Sequence, residues 1–177
     1  MITTPRGMRI RPTRSLVRES LFNILGQRVV GARVIDLYAG AGTLGFEALS
    51  RGAAEVTFVD RDRDSLRAVA ATAERFGCRD RCHLVHADAG AWVRRSEPIV
   101  SAASLCFLDA PYRDPDLERA LAALADSPPE LVVCEHHSQR RLPEHVGSLR
   151  LTREVRHGLT TLTFLQRIPI GEPTAAP

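Results

Sequence analysis

Four short apolar runs that end on or beside an aspartate, separated by segments of helical period, constrain this chain most. Residues 33–37, 55–60, 82–86 and 104–108 read as strands, and Asp36, Asp60, Asp88 and Asp109 mark their ends. Leu16, Val17, Leu21, Ile24 and Leu25 recur at helical spacing, which predicts a helix over 14–25 closed by Gly26. Further helices are predicted over 43–50, 62–76, 89–95 and 115–125, with Gly52 and Gly77 as stops. A strand at 131–135 and two more at 149–155 and 160–166 complete the pattern, the last two joined by a turn at His157-Gly158. Strands that alternate with helices pair in parallel with both sheet faces covered. Right-handed crossovers then require a doubly wound layout. The expected fold is α/β and Rossmann-like: a mostly parallel seven-stranded sheet with a C-terminal antiparallel hairpin. No repeat or inner linker divides it, so 1–18 reads as a basic arm, 19–168 as one domain and 169–177 as a flexible tail.

Charge distribution says more than the net +3. All 24 cationic side chains are arginine, and Arg6, Arg9, Arg11, Arg14 and Arg18 precede the first acidic residue, Glu19. Such an arm suits contact with phosphates. No apolar run has the length of a membrane span, and the opening residues lack the apolar core of a secretory signal. A cytoplasmic protein is expected. Cys78, Cys82, Cys106 and Cys134 show no paired C-x-x-C spacing and read as reduced core thiols. Cys78 and Cys82 lie near His83 and His86 without matching zinc-site spacing, so no metal is expected.

The crossover after the first strand carries Gly40, Gly42 and Gly45, a G-x-G-x-x-G match. A nicotinamide-dependent oxidoreductase therefore has to be weighed. Against it, three residues separate Asp36 from Gly40, and an anion beside a pyrophosphate is repulsive. Asp36 suits a cofactor that is positive at that point, such as the ammonium and sulfonium of S-adenosylmethionine. Asp60 lies 24 residues further on, where an acid binds ribose hydroxyls. Asp88 follows the third strand and can accept from an adenine amine. Asp60 and Asp88 also read as helix N-caps.

The fourth strand runs into Asp109-Ala110-Pro111-Tyr112. Asp109 and the Ala110 carbonyl can both accept from an exocyclic amine, Pro111 stiffens the turn, and Tyr112 offers a π-face for stacking. The segment suits a flat ring that bears an amine. His136 and His137 read as a polar loop at another strand end, and Trp92 as core.

Taken together these residues resemble the bacterial 16S rRNA guanine-N2 methyltransferases, the RsmD family. The resemblance runs from about Arg11 to Arg167. It rests on Arg11-Pro12-Thr13 with 17–23, on 36–42, on 47–53 and on Asp109-Ala110-Pro111-Tyr112. It implies a class I S-adenosylmethionine-dependent methyltransferase domain, with ribosomal RNA or the small ribosomal subunit as partner. The cofactor would be held by Asp36, Tyr38, Gly40, Gly42, Asp60, Arg61, Asp88 and Ala89. Catalysis would fall to Asp109, Ala110, Pro111 and Tyr112, and RNA contact to Arg11, Thr13, Arg14 and Arg18. Ala110 stands where the family's tetrapeptide has a first proline, which keeps the carbonyl and loses stiffness. Ten residues precede Arg11, fewer than the family's basic hairpin occupies, which reads either as a reduced grip on RNA or as a mis-assigned start site. Two other functions fit the same residues: an adenine-N6 methyltransferase on DNA or RNA, and a catalytically weakened protein that binds S-adenosylmethionine and RNA.

Overall fold

The structure, a computed structural model, describes residues 14–110 and 116–169, without the side chains of Arg14 and Asp116. Helix α1 (Arg14–Leu25) buries Val17, Leu21, Phe22 and Leu25 along one face and gives way at Gly26, whose φ is +50°, to a 3-10 turn. Strand β1 (Arg33–Leu37), helix α2 (Thr43–Ser50) and strand β2 (Glu55–Asp60) follow. Helix α3 (Arg63–Arg75) starts where the Asp62 side chain accepts from the amides of Asp64 and Ser65, both at 3.1 Å. These bonds satisfy orphan donors of the first turn. Next come β3 (Cys82–His86), α4 (Ala89–Arg95), α5 (Glu97–Ser101), β4 (Leu105–Leu108), α6 (Asp116–Asp126) and β5 (Leu131–His137). Strands β6 (His145–Val146), β7 (Leu149–His157) and β8 (Thr160–Arg167) close the fold.

The strands form one sheet in the order β3-β2-β1-β4-β5-β8-β7-β6. Strands β1 to β5 are mutually parallel, while β8 runs antiparallel to both β5 and β7. Alternate residues of the central strands feed two separate cores. Val34, Leu105, Phe107, Leu131 and Val133 pack on the side of α1, α2 and α3. Ile35, Leu37, Cys106, Leu108, Val132 and Cys134 pack on the side of α4 and α6. Burial on both faces is why these strands read as unbroken apolar runs. Each large side chain so buried contributes roughly 1.5–3 kcal/mol. Trp92 belongs to the second core, and all four cysteines are free and buried.

The α/β class, the parallel order and the C-terminal antiparallel hairpin are as expected, with an eighth strand added at the edge. That strand, β6, is two residues long and forms because Val146 finds Leu149 across the tight turn at Gly147. His136 and His137 lie in β5, not in a loop, since they pair with Thr161 and Thr160. A partner strand outweighs the weak strand preference of histidine. The hairpin turn falls one residue later than expected, at Gly158-Leu159, and α5 has no sequence period that announces it.

Helix α2 meets β2 with no room for a side chain at Gly45. A Cβ there would collide with the Phe58 ring and come within 2.9 Å of Val56 Cγ1. Gly31 is the opposite case, with φ +71° and nothing within 4 Å. Gly45→Ala is therefore expected to destabilise by about 1–3 kcal/mol through overpacking. Gly31→Ala meets only the left-handed backbone penalty of roughly 1–2 kcal/mol. Urea unfolding of both variants checks this: Gly45→Ala should lose the more, and an equal or smaller loss would contradict the packing account.

Candidate functional site

Strand β1 has β2 on one side and β4 on the other, so the connections leave in opposite directions at the β1–β4 boundary. Open α/β sheets hold ligands beyond the carboxyl ends of the strands at such a switch point. Asp36 belongs to β1 and Asp109 follows β4 directly, which places the two aspartates on either side of it. Tyr38, at the start of the loop, has φ +62° and is the only non-glycine residue with positive φ among those described. A left-handed conformation costs a residue with a Cβ roughly 1–2 kcal/mol. The loop around it is held by Ala39 N–H donating to Val59 O at 3.2 Å and Gly40 N–H donating to Asp60 Oδ2 at 2.7 Å.

The Asp36 carboxylate is buried, with 2% of the residue exposed, and accepts from Gly45 N–H at 2.9 Å. Gly45 lies in the first turn of α2, so Asp36 occupies the positive end of that helix. A dinucleotide pyrophosphate would need that same position. Burial pushes the Asp36 pKa up to about 8; the Gly45 amide opposes the rise, and the nearby carboxylates of Asp109 and Asp60 add to it. Two acids thus act on Asp36 across the crevice.

The three glycines have different duties. At Gly40, with φ +52°, a Cβ would meet only Tyr38 O at 4.0 Å, so the space above it is open to a ligand. At Gly42, with φ +74°, a Cβ would come within 2.9 Å of the Phe46 ring and 3.0 Å of Phe58. Gly42 and Gly45 are thus required by packing inside the protein. Asp60 accepts from Gly40 N–H through one oxygen and from Asp62 N–H at 2.8 Å through the other. It ties the glycine loop to β2 and keeps lone pairs for further donors. The cap of α3 is Asp62, not Asp60. Asp88 does cap α4, accepting from Ala91 N–H at 2.8 Å, and is exposed. Ala89 beside it is buried, and Arg61 is exposed with its carbonyl 3.0 Å from His86 Nε2.

At the end of β4, Asp109 is exposed while Ala110 is buried in the second core cluster. A shallow groove adjoins Asp109, bordered by Leu21, Leu44, Phe107, Leu108, Val133, Glu135 and Leu162. Glu135 was not foreseen as a site residue; its position at the end of an apolar strand, like that of Asp109, is the signal that marks it. Arg18, expected to contact RNA, lies 3.5 Å from Glu47 Oε2, and Arg51 reaches the other oxygen of Glu47 at 2.8 Å. One glutamate between two arginines leaves that surface cationic. Ser20 Oγ lies 3.0 Å from His157 Nε2, which joins α1 to β7 beside the groove. His136 is buried away from the crevice with Nε2 2.8 Å from Thr163 Oγ1, and burial pushes its pKa down. Arg11, Thr13, Pro111 and Tyr112 lie outside the described residues, as does the side chain of Arg14. Among the described residues no group of three His, Cys, Asp or Glu side chains is placed to hold a metal ion, and no helix is long and apolar enough to cross a membrane.

The profile of the family described as Conserved hypothetical protein 95 matches residues 1–166. YlbH of Bacillus subtilis (strain 168) is 35% identical over 166 residues, covering 91% of this chain and 90% of that protein. Ribosomal RNA small subunit methyltransferase D of Escherichia coli (strain K12) is 31% identical over 181 residues, covering 98% and 88%. The solved structure of YhhF from Escherichia coli superposes with a TM-score of 0.77 at 29% identity, over 88% of this chain and 87% of that one. Such neighbours give the fold as that of the class I S-adenosylmethionine-dependent methyltransferases.

The raised pKa of Asp36 has a consequence for stability. The folded protein keeps the proton to about pH 8, whereas the unfolded chain releases it near the ordinary value of 3.8. Between those values the folded state binds more protons, so this group makes stability fall as pH rises. Asp36→Asn keeps an acceptor for Gly45 N–H and removes the titration. The ligand-free variant is expected to melt near the parent at pH 4 and progressively above it toward pH 8. One kcal/mol corresponds to roughly 2–4 °C at this size. Calorimetry across that range checks it; a constant difference between the two proteins would exclude the linkage.

Proposed function

This chain belongs to the RsmD family, the one described as Conserved hypothetical protein 95, and from that premise we propose that it uses S-adenosylmethionine to methylate the N2 amine of a guanine in small-subunit ribosomal RNA. The observation that carries the reading is the buried Asp36 carboxylate, with Asp109 and Asp60 close enough to raise its pKa at the sheet's switch point. Converging anions of this kind favour a cationic ligand, and Gly40 leaves open space for it beside them. When bound, S-adenosylmethionine supplies a methyl group activated by a sulfonium.

The residues of the chain do the rest. Asp36 holds the cationic end of the cofactor, with its own geometry set by Gly45 N–H. Asp60, fixed by two backbone amides, accepts from ribose hydroxyls through its remaining lone pairs. Tyr38, Arg61, Asp88 and Ala89 border the nucleoside. Asp109 and the Ala110 carbonyl take the two amine hydrogens, which draws the nitrogen toward sp3 geometry and turns its lone pair to the methyl. As transfer proceeds, positive charge develops on that nitrogen, and the Asp109 carboxylate stabilises it until a proton leaves. Tyr112 stacks on the flipped base, and Arg11, Thr13, Arg14 and Arg18 contact RNA. Alignment alone can lower such a barrier by about 7–11 kcal/mol. The protein acts in the cytoplasm, where the ribosome is assembled.

Mass spectrometry of ribosomal RNA nucleosides from a strain that lacks the protein is expected to show loss of one N2-methylguanosine from the small subunit. The parent gene restores it. Asp109→Ala does not, and lowers the rate of methyl transfer in vitro by about 10²–10³. Unchanged N2-methylguanosine in the deleted strain would overturn the reading.

The cofactor site makes its own prediction. Since Asp36 is protonated below about pH 8 and a cation favours its ionised form, binding of S-adenosylmethionine releases a proton. Affinity should therefore rise between pH 6 and 7. Titration calorimetry in two buffers of different ionisation enthalpy measures the release, which Asp36→Asn should abolish.

A further inference from the structure

We propose that Glu135 is the specificity residue of this groove: its carboxylate accepts the N1–H of guanine while Asp109 accepts from the adjacent N2 amine. The inference rests on the guanine-N2 reading above and adds the group that selects the base.

Two carboxylates border the groove, Asp109 and Glu135, over an apolar floor of Leu21, Leu44, Val133 and Leu162. The last register pair of β4 and β5 is Leu108 with Cys134, so Asp109 and Glu135 are the next residues of two adjacent parallel strands. Adjacent strands are about 4.8 Å apart. Glu135 shares the face of Val133 by the two-residue period of β5, which turns it toward the groove and away from buried His136. It is half-buried and held in β5 by β8, where its partner is Leu162, another residue of the groove.

An ionised carboxylate only accepts, and it offers about four lone-pair directions, so contacts within the protein do not exhaust it. Guanine presents two neighbouring donors on one edge, N1–H and the N2 amine. Adenine and 2-aminopurine carry an acceptor at N1, and a lone pair facing a carboxylate makes no hydrogen bond and is repelled. Asp109, which touches only the amine, does not read this difference. Glu135 does.

The test compares two substrates that both carry the reacting amine. The RNA or subunit accepted by the wild-type protein is rebuilt with guanosine or 2-aminopurine at the methylated position, and kcat/KM for methyl transfer is measured on each. Wild-type protein should favour guanosine by about 10–100-fold, the range of a buried hydrogen bond to a charged group. Glu135→Gln should lose activity on guanosine and little on 2-aminopurine, bringing the ratio toward 1. A fraction of misfolded variant cancels in that ratio. If Glu135→Gln loses equally on both substrates, its role is structural and the inference is overturned. If wild-type protein methylates guanosine and shows no preference over 2-aminopurine, the inference fails alone. If it methylates neither, the guanine-N2 reading fails and this inference with it.

Discussion

The bond from Gly45 N–H to the Asp36 carboxylate is the contact on which the rest of the site depends. It joins the end of β1 to the first turn of α2, and so sets the path of the loop between them. It satisfies a helix donor that has no partner within the helix. It also puts a carboxyl group at the helix N-terminus, where nucleotide-binding folds of the dinucleotide type receive a phosphate. The bond requires α2 to lie close to the sheet, and that closeness excludes a side chain at Gly45 because Phe58 fills the space. Strand end, helix start and neighbouring strand are thus interlocked through three residues.

That arrangement grades the acids by depth. Asp36 is enclosed and protonated to about pH 8; Asp60 has each oxygen on a backbone amide; Asp88 caps a helix; Asp109 stands exposed at the mouth. Burial disfavours the ionised form of Asp36, and a neighbouring positive charge favours it. The deep end of the crevice therefore suits a permanent cation, and the mouth suits a neutral amine that gains charge only during reaction. The order of burial matches the order of charge that the proposed chemistry needs.

Much of this was legible in the sequence because each strand is buried on both faces and each helix on one. Unbroken apolar runs and helical spacing were strong signals over 14–25, 33–37, 43–50 and 55–60, and the element bounds coincide there. The signal failed where a partner decided the outcome. His136 and His137 are strand only because β8 lies beside them, and β6 exists only as the return of β7. The glycine pattern was visible, but not which glycine faces a ligand: that depends on the Phe58 ring, distant in sequence and packed against Gly42 and Gly45 in space. Arg18 carried no sign that Glu47 would meet it, since the pair is formed by packing of α1 on α2. Glu135 closes an apolar run as Asp109 does, but that signal is shared with acids that face only solvent, and it is the pairing of β5 with β8 that sets it beside the groove.

Ala110 shows how such an environment can stand in for a missing residue. A proline there would fix φ and reduce the freedom of the turn, an effect of about 0.4–1 kcal/mol. Ala110 is instead buried at 4% exposure within the core that α6 and α4 close, among them Leu117 and Leu121. A buried methyl contributes about 0.8 kcal/mol, comparable to the proline effect, so packing offsets the lost ring rigidity. Under the proposed chemistry, the loss of one proline then slows transfer by no more than about fivefold, since 1 kcal/mol is less than one decade in rate. The alanine is compatible with an active enzyme, and the burden of holding the amine falls on Asp109 and on the strand end that presents it.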